Sequence, residues 1–230
     1  KGQAELMKLA KSIYPQLIIC TSGMGDGQLN DSLTAIADYV SVHFNNTMLE
    51  DYASRIAGIR KSGKPVLCNE DDKTGKAGAS ACLLSVMNGC GWGFMHSRVN
   101  QTIPFTFGGY ADDTATYNMM KKVVTPGFTI DKDLLLQPSV IITYPNDGDI
   151  FKKDQNVGIR FSYINPDTTI KSNIRIYAND KEAGVTGTLQ KQFRLQLSEE
   201  GTIYLRIAVT DEKGNEILRS PGVDIIVKQQ

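Results

Sequence analysis

The chain has 230 residues, room for one large domain or two ordinary ones, and its character changes midway. Lys plus Arg and Asp plus Glu are each 25, so no basic excess is available to hold a phosphate backbone, and nucleic acid is not an expected partner. No apolar stretch approaches the roughly 20 residues needed to span a bilayer, and residues 1–10 carry no signal-peptide pattern.

In chain order, Leu6, Leu9, Ala10 and Ile13 keep the spacing of one helix face, and Pro15 ends it before the continuously apolar run Leu17-Ile18-Ile19-Cys20. Such a run predicts a strand covered on both faces. The opening inside a helix, without an initiator Met, suggests a start upstream. A second strand is predicted over Tyr39 to Phe44, then a helix with Leu49, Tyr52, Ala53, Ile56 and Ile59 on one face and Gly63 closing it. Pro65 to Cys68 reads as a third strand and Ala77 to Met87 as a helix. Trp92-Gly93-Phe94-Met95 centres a fourth strand, and a last helix runs from about Asp112 to Val123 with Ala115, Met119 and Met120 inward.

Four strand-helix units imply a parallel sheet. Two architectures fit: a small open doubly wound sheet, or the C-terminal half of a (β/α)8 barrel of TIM type, which needs about 250 residues when whole. The helical opening favours the half-barrel, whose open sheet edges would need the N-terminal half of the barrel or another chain to cover them. The four cysteines, Cys20, Cys68, Cys82 and Cys90, all fall in this part and form no CxxC pair. They read as small buried hydrophobes, with a Cys82 to Cys90 disulfide as the alternative.

From Gln137 the hydrophobic period becomes two. Val157, Ile159, Phe161 and Tyr163 alternate with polar or small residues, as do Phe193, Leu195 and Leu197, and Ile203, Leu205, Ile207 and Val209. Turn signals at Pro145-Asn146-Asp147-Gly148, Asn179-Asp180, Glu200-Gly201 and 211–215 punctuate about seven short strands, which suits an immunoglobulin-like β-sandwich. The expected fold class is therefore α/β plus all-β, divided as residues 1–134 and 137–230.

In parallel α/β architectures ligands gather at the carboxyl ends of the strands. After the first predicted strand lies the loop Gly23-Met24-Gly25-Asp26-Gly27, which lacks the Lys-Ser/Thr of a P-loop and the spacing of a dinucleotide fingerprint. Neither a cofactor nor a metal is expected. After the second come His43, Asn45 and Asn46; after the third, Asn69, Glu70, Asp71 and Asp72; around the fourth, Trp92, His96 and Arg98. Both histidines and the single tryptophan thus fall at strand ends. A carboxylate that attacks an anomeric carbon, an aromatic platform and hydrogen-bonding His and Asn side chains suit carbohydrate chemistry.

Lys64-Pro65-Val66-Leu67-Cys68-Asn69-Glu70-Asp71-Asp72, followed by Gly91-Trp92-Gly93-Phe94, resembles the end of a bacterial glycoside-hydrolase-like barrel of the cellulase-type retaining clan. The resemblance covers about residues 1 to 125. It implies Glu70 as nucleophile, Trp92 as the platform under the sugar and His43 as a substrate contact, while Asn45, Asn69, Asp71, His96 and Arg98 are expected as further substrate contacts from their places at the strand ends. The clan's acid/base Glu follows a fourth barrel strand that has no counterpart here. An Asn-Glu pair is also typical of that acid/base strand, but the strand order favours the nucleophile. The stretch from Val140-Ile141-Ile142-Thr143-Tyr144-Pro145-Asn146-Asp147-Gly148 onward resembles the bacterial Ig-like modules that follow such barrels, which implies an extracytoplasmic bacterial protein: secreted, periplasmic or on the cell surface. The expected function is the C-terminal part of a retaining glycoside hydrolase acting on a poly- or oligosaccharide; the alternative is a noncatalytic carbohydrate-binding or cell-surface protein.

Overall fold

A computed structural model describes residues 2–20, 23, 25, 27–101, 103–129, 137–164 and 167–229. The first half opens with α1 (Gly2–Ile13) and α2 (Asp31–Ile36), the latter capped by Asn30, whose side chain accepts from the Leu33 amide. Strands β1 (Val40–His43), β2 (Val66–Asp71) and β3 (Gly91–Phe94) alternate with α3 (Tyr52–Arg60) and α4 (Gly75–Met87), and α5 (Ser97–Asn100) and α6 (Thr114–Val123) follow. The three strands form one parallel sheet in the order β1-β2-β3. Val40, Val42, Val66 and Cys68 alternate onto one face, where they meet Leu49, Tyr52, Ile56, Ile59 and Ala81 in a buried cluster. Tyr52, Ile56 and Ile59 keep the four-then-three spacing of a helix stripe, while Ala53 lies outside it, exposed.

The half-barrel expected from the sequence is not present. Three parallel strands stand where four were expected, nine of the twelve described strands lie in the second half, and Leu17–Cys20 forms no strand. Leu17 and Ile18 are 41% and 73% exposed, and the Ile19 amide donates to the Asp38 carboxylate at 2.7 Å rather than to a ladder. The Ile19 carbonyl accepts from the Asp38 amide at 2.8 Å and the Leu17 amide donates to the Tyr14 carbonyl at 3.0 Å, single bonds outside any strand ladder, so a run without two-sided burial is not held as a central strand. Leu6, Leu9 and Ile13 on α1 are exposed as well. The complementary half-barrel, suggested above as a partner, falls with this correction. All four thiols are free; burial pushes Cys82 and Cys90 each to about 11 and Cys68 further still. Residues 21, 22, 24 and 26 of the glycine-rich segment lie outside the described residues.

Helix α4 turns small residues inward, Ala77, Gly78, Ala81, Cys82 and Ser85. At Gly78 a Cβ would collide with the Lys73 carbonyl and the Thr116 hydroxyl of α6. Propensity alone would make Gly78→Ala a gain of about 1 kcal/mol. Overpacking against a backbone carbonyl reverses the sign, so thermal denaturation of Gly78→Ala should show a loss of about 1–3 kcal/mol. A raised melting temperature would mean that α4 and α6 are not held as closely as described.

The second half comprises β4 (Ser139–Tyr144), β5 (Ile150–Lys152), β6 (Asn156–Ile164), β7 (Ser172–Ala178), β8 (Lys181–Gly187), β9 (Gln192–Gln196), β10 (Gly201–Asp211), β11 (Glu216–Arg219) and β12 (Val223–Lys228). One sheet has the order β5-β12-β10-β7-β8, with β11 also on β10; the other is β4-β6-β9. Val140, Ile142, Val157, Ile159 and Phe161 from the second sheet meet Ile174, Ile176, Ile203, Leu205, Ile207, Ile225 and Val227 from the first in a single core, as in a β-sandwich. No cysteine lies in this half, so no disulfide within it joins the sheets.

The expected boundary at 134 to 137 falls in residues 130–136, outside the described residues, but the contact between the halves is described. Ile141 and Ile164 pack against the first core. The Leu49 amide donates to Ser162 Oγ at 2.9 Å, Thr74 Oγ1 to Asn146 Oδ1 at 3.0 Å, and Arg160 Nη1 to Asn46 Oδ1 at 2.8 Å. Lys191 pairs with Glu50 at 2.6 Å.

Candidate functional site

A single irregularity in β2 organises the site. Val42 pairs with Cys68 and His43 with Glu70, while on the other side Trp92 pairs with Cys68 and Phe94 with Asp71. Asn69 is therefore one residue too many for both neighbouring strands, a β-bulge. Its carbonyl presses toward β3, where a Cβ on Gly93 would lie 2.8 Å from it; glycine is what that close approach admits.

The bulge sets which of the two consecutive carboxylates goes to which face. Asn69 and Glu70 lie on the sheet face carrying Ser41 and His43: Ser41 Oγ donates to Asn69 Oδ1 at 2.6 Å, and His43 Nδ1 stands 3.2 Å from Glu70 Oε2. These two side chains are 18% and 38% exposed, and His43 Nε2 and Asn45 Oδ1 are buried without a hydrogen-bond partner among the described residues.

Asp71 goes to the helix-covered face and is fully buried. It accepts from the Tyr52 hydroxyl and, at 2.9 Å, from Trp92 Nε1, and pairs at 3.0 Å with Lys73 Nζ, itself 2% exposed and bonded to the Phe44 carbonyl at 2.7 Å. Burial and then the Asp71 charge hold the Tyr52 phenol well above its ordinary value, so it remains a donor. Trp92 stacks on Phe94 at 5.7 Å between centroids and packs against the first core. Its indole, expected as a sugar platform, donates through Nε1 to Asp71. Asp72 is half-buried, and burial raises its carboxyl pKa against the opposing pull of Lys73.

His96 and Arg98 lie apart from both groups. His96 is buried beside Phe94, 5.6 Å between ring centroids, and Arg98 donates to the Asp147 carbonyl in the second half. The expected set thus divides into an open-face group (His43, Asn69, Glu70), a hub of buried Asp71 and partly buried Trp92, a junction pair (His96, Arg98), and Asn45 in the turn after β1. Sequence reasoning missed Ser41, Tyr52 and Lys73. Only the Asp71-x-Lys73 spacing, which puts both side chains on one side of an extended chain, hinted at the pair. Among the described residues no three His, Cys, Asp or Glu side chains are grouped to hold a metal ion.

No family model matches the chain, and no curated protein matches it. Solved structures do resemble it. The fibronectin(III)-like modules of Clostridium thermocellum CbhA are 20% identical, covering 39% of this chain and 94% of theirs with a TM-score of 0.34. Bacteroides uniformis beta-glucuronidase is 12% identical over 99% of this chain and 30% of its own, TM-score 0.37. Parabacteroides distasonis beta-1,2-glucanase is 18% identical over 41% and 13%, TM-score 0.30. This chain thus spans less than a third of either of those two enzymes. Among the described residues no helix is long and apolar enough to cross a membrane.

Proposed function

We propose that the chain is a noncatalytic carbohydrate-binding protein whose open sheet face, around His43, Asn69 and Glu70, holds a sugar. The observation that carries this reading is the division of the two adjacent carboxylates. Glu70 is partly exposed and paired with His43, while Asp71 is fully buried and bonded to Tyr52, Trp92 and Lys73. Glu70 accepts from sugar hydroxyls, and the Asn69 amide supplies donors. Retaining hydrolysis needs two carboxyl groups about 5–5.5 Å apart. With Asp71 committed to the core, this face offers Glu70 for binding. An extracytoplasmic bacterial setting belongs to the same proposal and rests on the resemblance of the sandwich segment.

The test is a glycan array followed by titration calorimetry, with aryl glycosides assayed in parallel. Glu70→Gln should weaken binding of the best glycan roughly tenfold or more, the worth of hydrogen bonds to a charged group, without altering thermal unfolding. Absence of any glycan ligand, or undiminished binding in Glu70→Gln, overturns the reading. Aryl-glycoside turnover that vanishes in Glu70→Gln would replace it with the hydrolase.

A further inference from the structure

Where residues 96–115 meet the loop at Asp147, a cavity of about 230 Å³ is lined by His96, Arg98, Asp112, Asp113, Thr114 and Asp147, among others. None of the open-face residues borders it. His96 is 5% exposed, and its Nδ1 is buried without a hydrogen-bond partner among the described residues. Such nitrogens are rare, because leaving one unpaired away from water is costly.

The carboxylates around it are unequally occupied. Asp113 is spent: it accepts from the Gly75 amide at 2.7 Å, the Thr116 amide at 2.9 Å and Thr116 Oγ1 at 2.8 Å, joining the starts of α4 and α6. Asp112 accepts from the Gly108 amide through Oδ2, and Asp147 from the Asp224 amide through Oδ1. The remaining oxygen of each has no hydrogen-bond partner among the described residues. Arg98 is the lining guanidinium, held by the Asp147 carbonyl and 3.9 Å from Asp149, with its side chain partly in water. Three lining carboxylates against one guanidinium leave the cavity anionic.

We propose that this cavity binds a small ligand bearing a primary ammonium group, seated between the Asp112 carboxylate and the His96 imidazole. The remaining oxygens of Asp112 and Asp147 are acceptors, and an ammonium offers three donors and no acceptor. Burial, then Arg98, holds His96 below its ordinary value, so the imidazole keeps an acceptor nitrogen at neutral pH. The volume is below the roughly 300–1,000 Å³ of drug-sized sites and suits a ligand of one ring.

The chain has two histidines, His43 and His96, so their imidazole nitrogen signals in NMR report the open face and the cavity separately. The full chain is titrated with glucosamine, glucose and glucuronate. Glucosamine should move the His96 Nδ1 signal, the other two should leave it in place, and Asp112→Asn should weaken the glucosamine response roughly tenfold or more. A silent His96 signal with glucosamine, an equal response to glucose, a response to glucuronate, or unchanged affinity in Asp112→Asn overturns the proposal. Movement of His43 reports on the open-face reading, whatever His96 does.

Discussion

Replacing Asp71 by alanine is expected to cost the fold about 3–5 kcal/mol, because it strands a buried lysine. Lys73 is 2% exposed, and without the carboxylate its ammonium keeps the Phe44 carbonyl as its described partner, while Tyr52 and Trp92 each lose their acceptor. The single tryptophan makes the measurement direct, since Trp92 fluorescence follows denaturant unfolding of the half that contains the network. The double variant Asp71→Leu with Lys73→Met should recover much of the loss, because replacing both members of a buried pair by apolar groups is often close to neutral. Glu70→Ala, one residue away on the open face, should stay within about 0.5 kcal/mol. If Asp71→Ala is no costlier than Glu70→Ala, Lys73 must reach water unaided, and the network does not hold this half together.

Phe161→Ala should cost about 3–5 kcal/mol and, more tellingly, should lower the transition reported by Trp92 in the other half. Phe161 is fully buried in the sandwich core, and its neighbour on β6, Ser162, accepts from the Leu49 amide across the junction. Ile141 and Ile164 place sandwich side chains against the first core, so that core loses cover when the sandwich opens. The expected result is one cooperative transition in which circular dichroism and Trp92 fluorescence move together. Two separated transitions, with Trp92 unaffected by Phe161→Ala, would show that the junction bonds add little and that the halves fold independently.

Side-chain periodicity carried much of the secondary structure into view. The alternation of Val157, Ile159 and Phe161 and the stripe of Tyr52, Ile56 and Ile59 mark buried faces because a strand repeats every two residues and a helix every 3.6. Composition misled at Leu17–Cys20, where four apolar residues read as a central strand but Leu17 and Ile18 are exposed and the Ile19 amide is tied to Asp38. Apolar sequence reports what a segment can bury and not whether anything lies over it.

At the candidate site, sequence position brought Glu70 and Asp71 forward together, and strict alternation already put them on opposite faces. Which of the two faces water was not legible, because it depends on the two strands flanking β2 and on the extra residue between Cys68 and Glu70. Lys73 read as a loop charge beside three acids, whereas it is a buried partner of one of them. The cavity at His96 depends on contacts between residues more than forty positions apart, such as Arg98 with Asp147, which no local pattern encodes.

The bulge at Asn69 also bears on how this sheet can change length. On both flanks the ladder would close regularly if Asn69 were missing, since Cys68 and Glu70 would then match Val42 and His43 one residue apart, and Cys68 and Asp71 would match Trp92 and Phe94 two residues apart. Deleting that one residue would leave Glu70 facing outward and Asp71 inward, with Ser41 alone losing its bonding partner. The strand is thus built to absorb a single-residue insertion at a position where most strands would exchange their two faces, and lineages that gained or lost it could keep both carboxylates in their places.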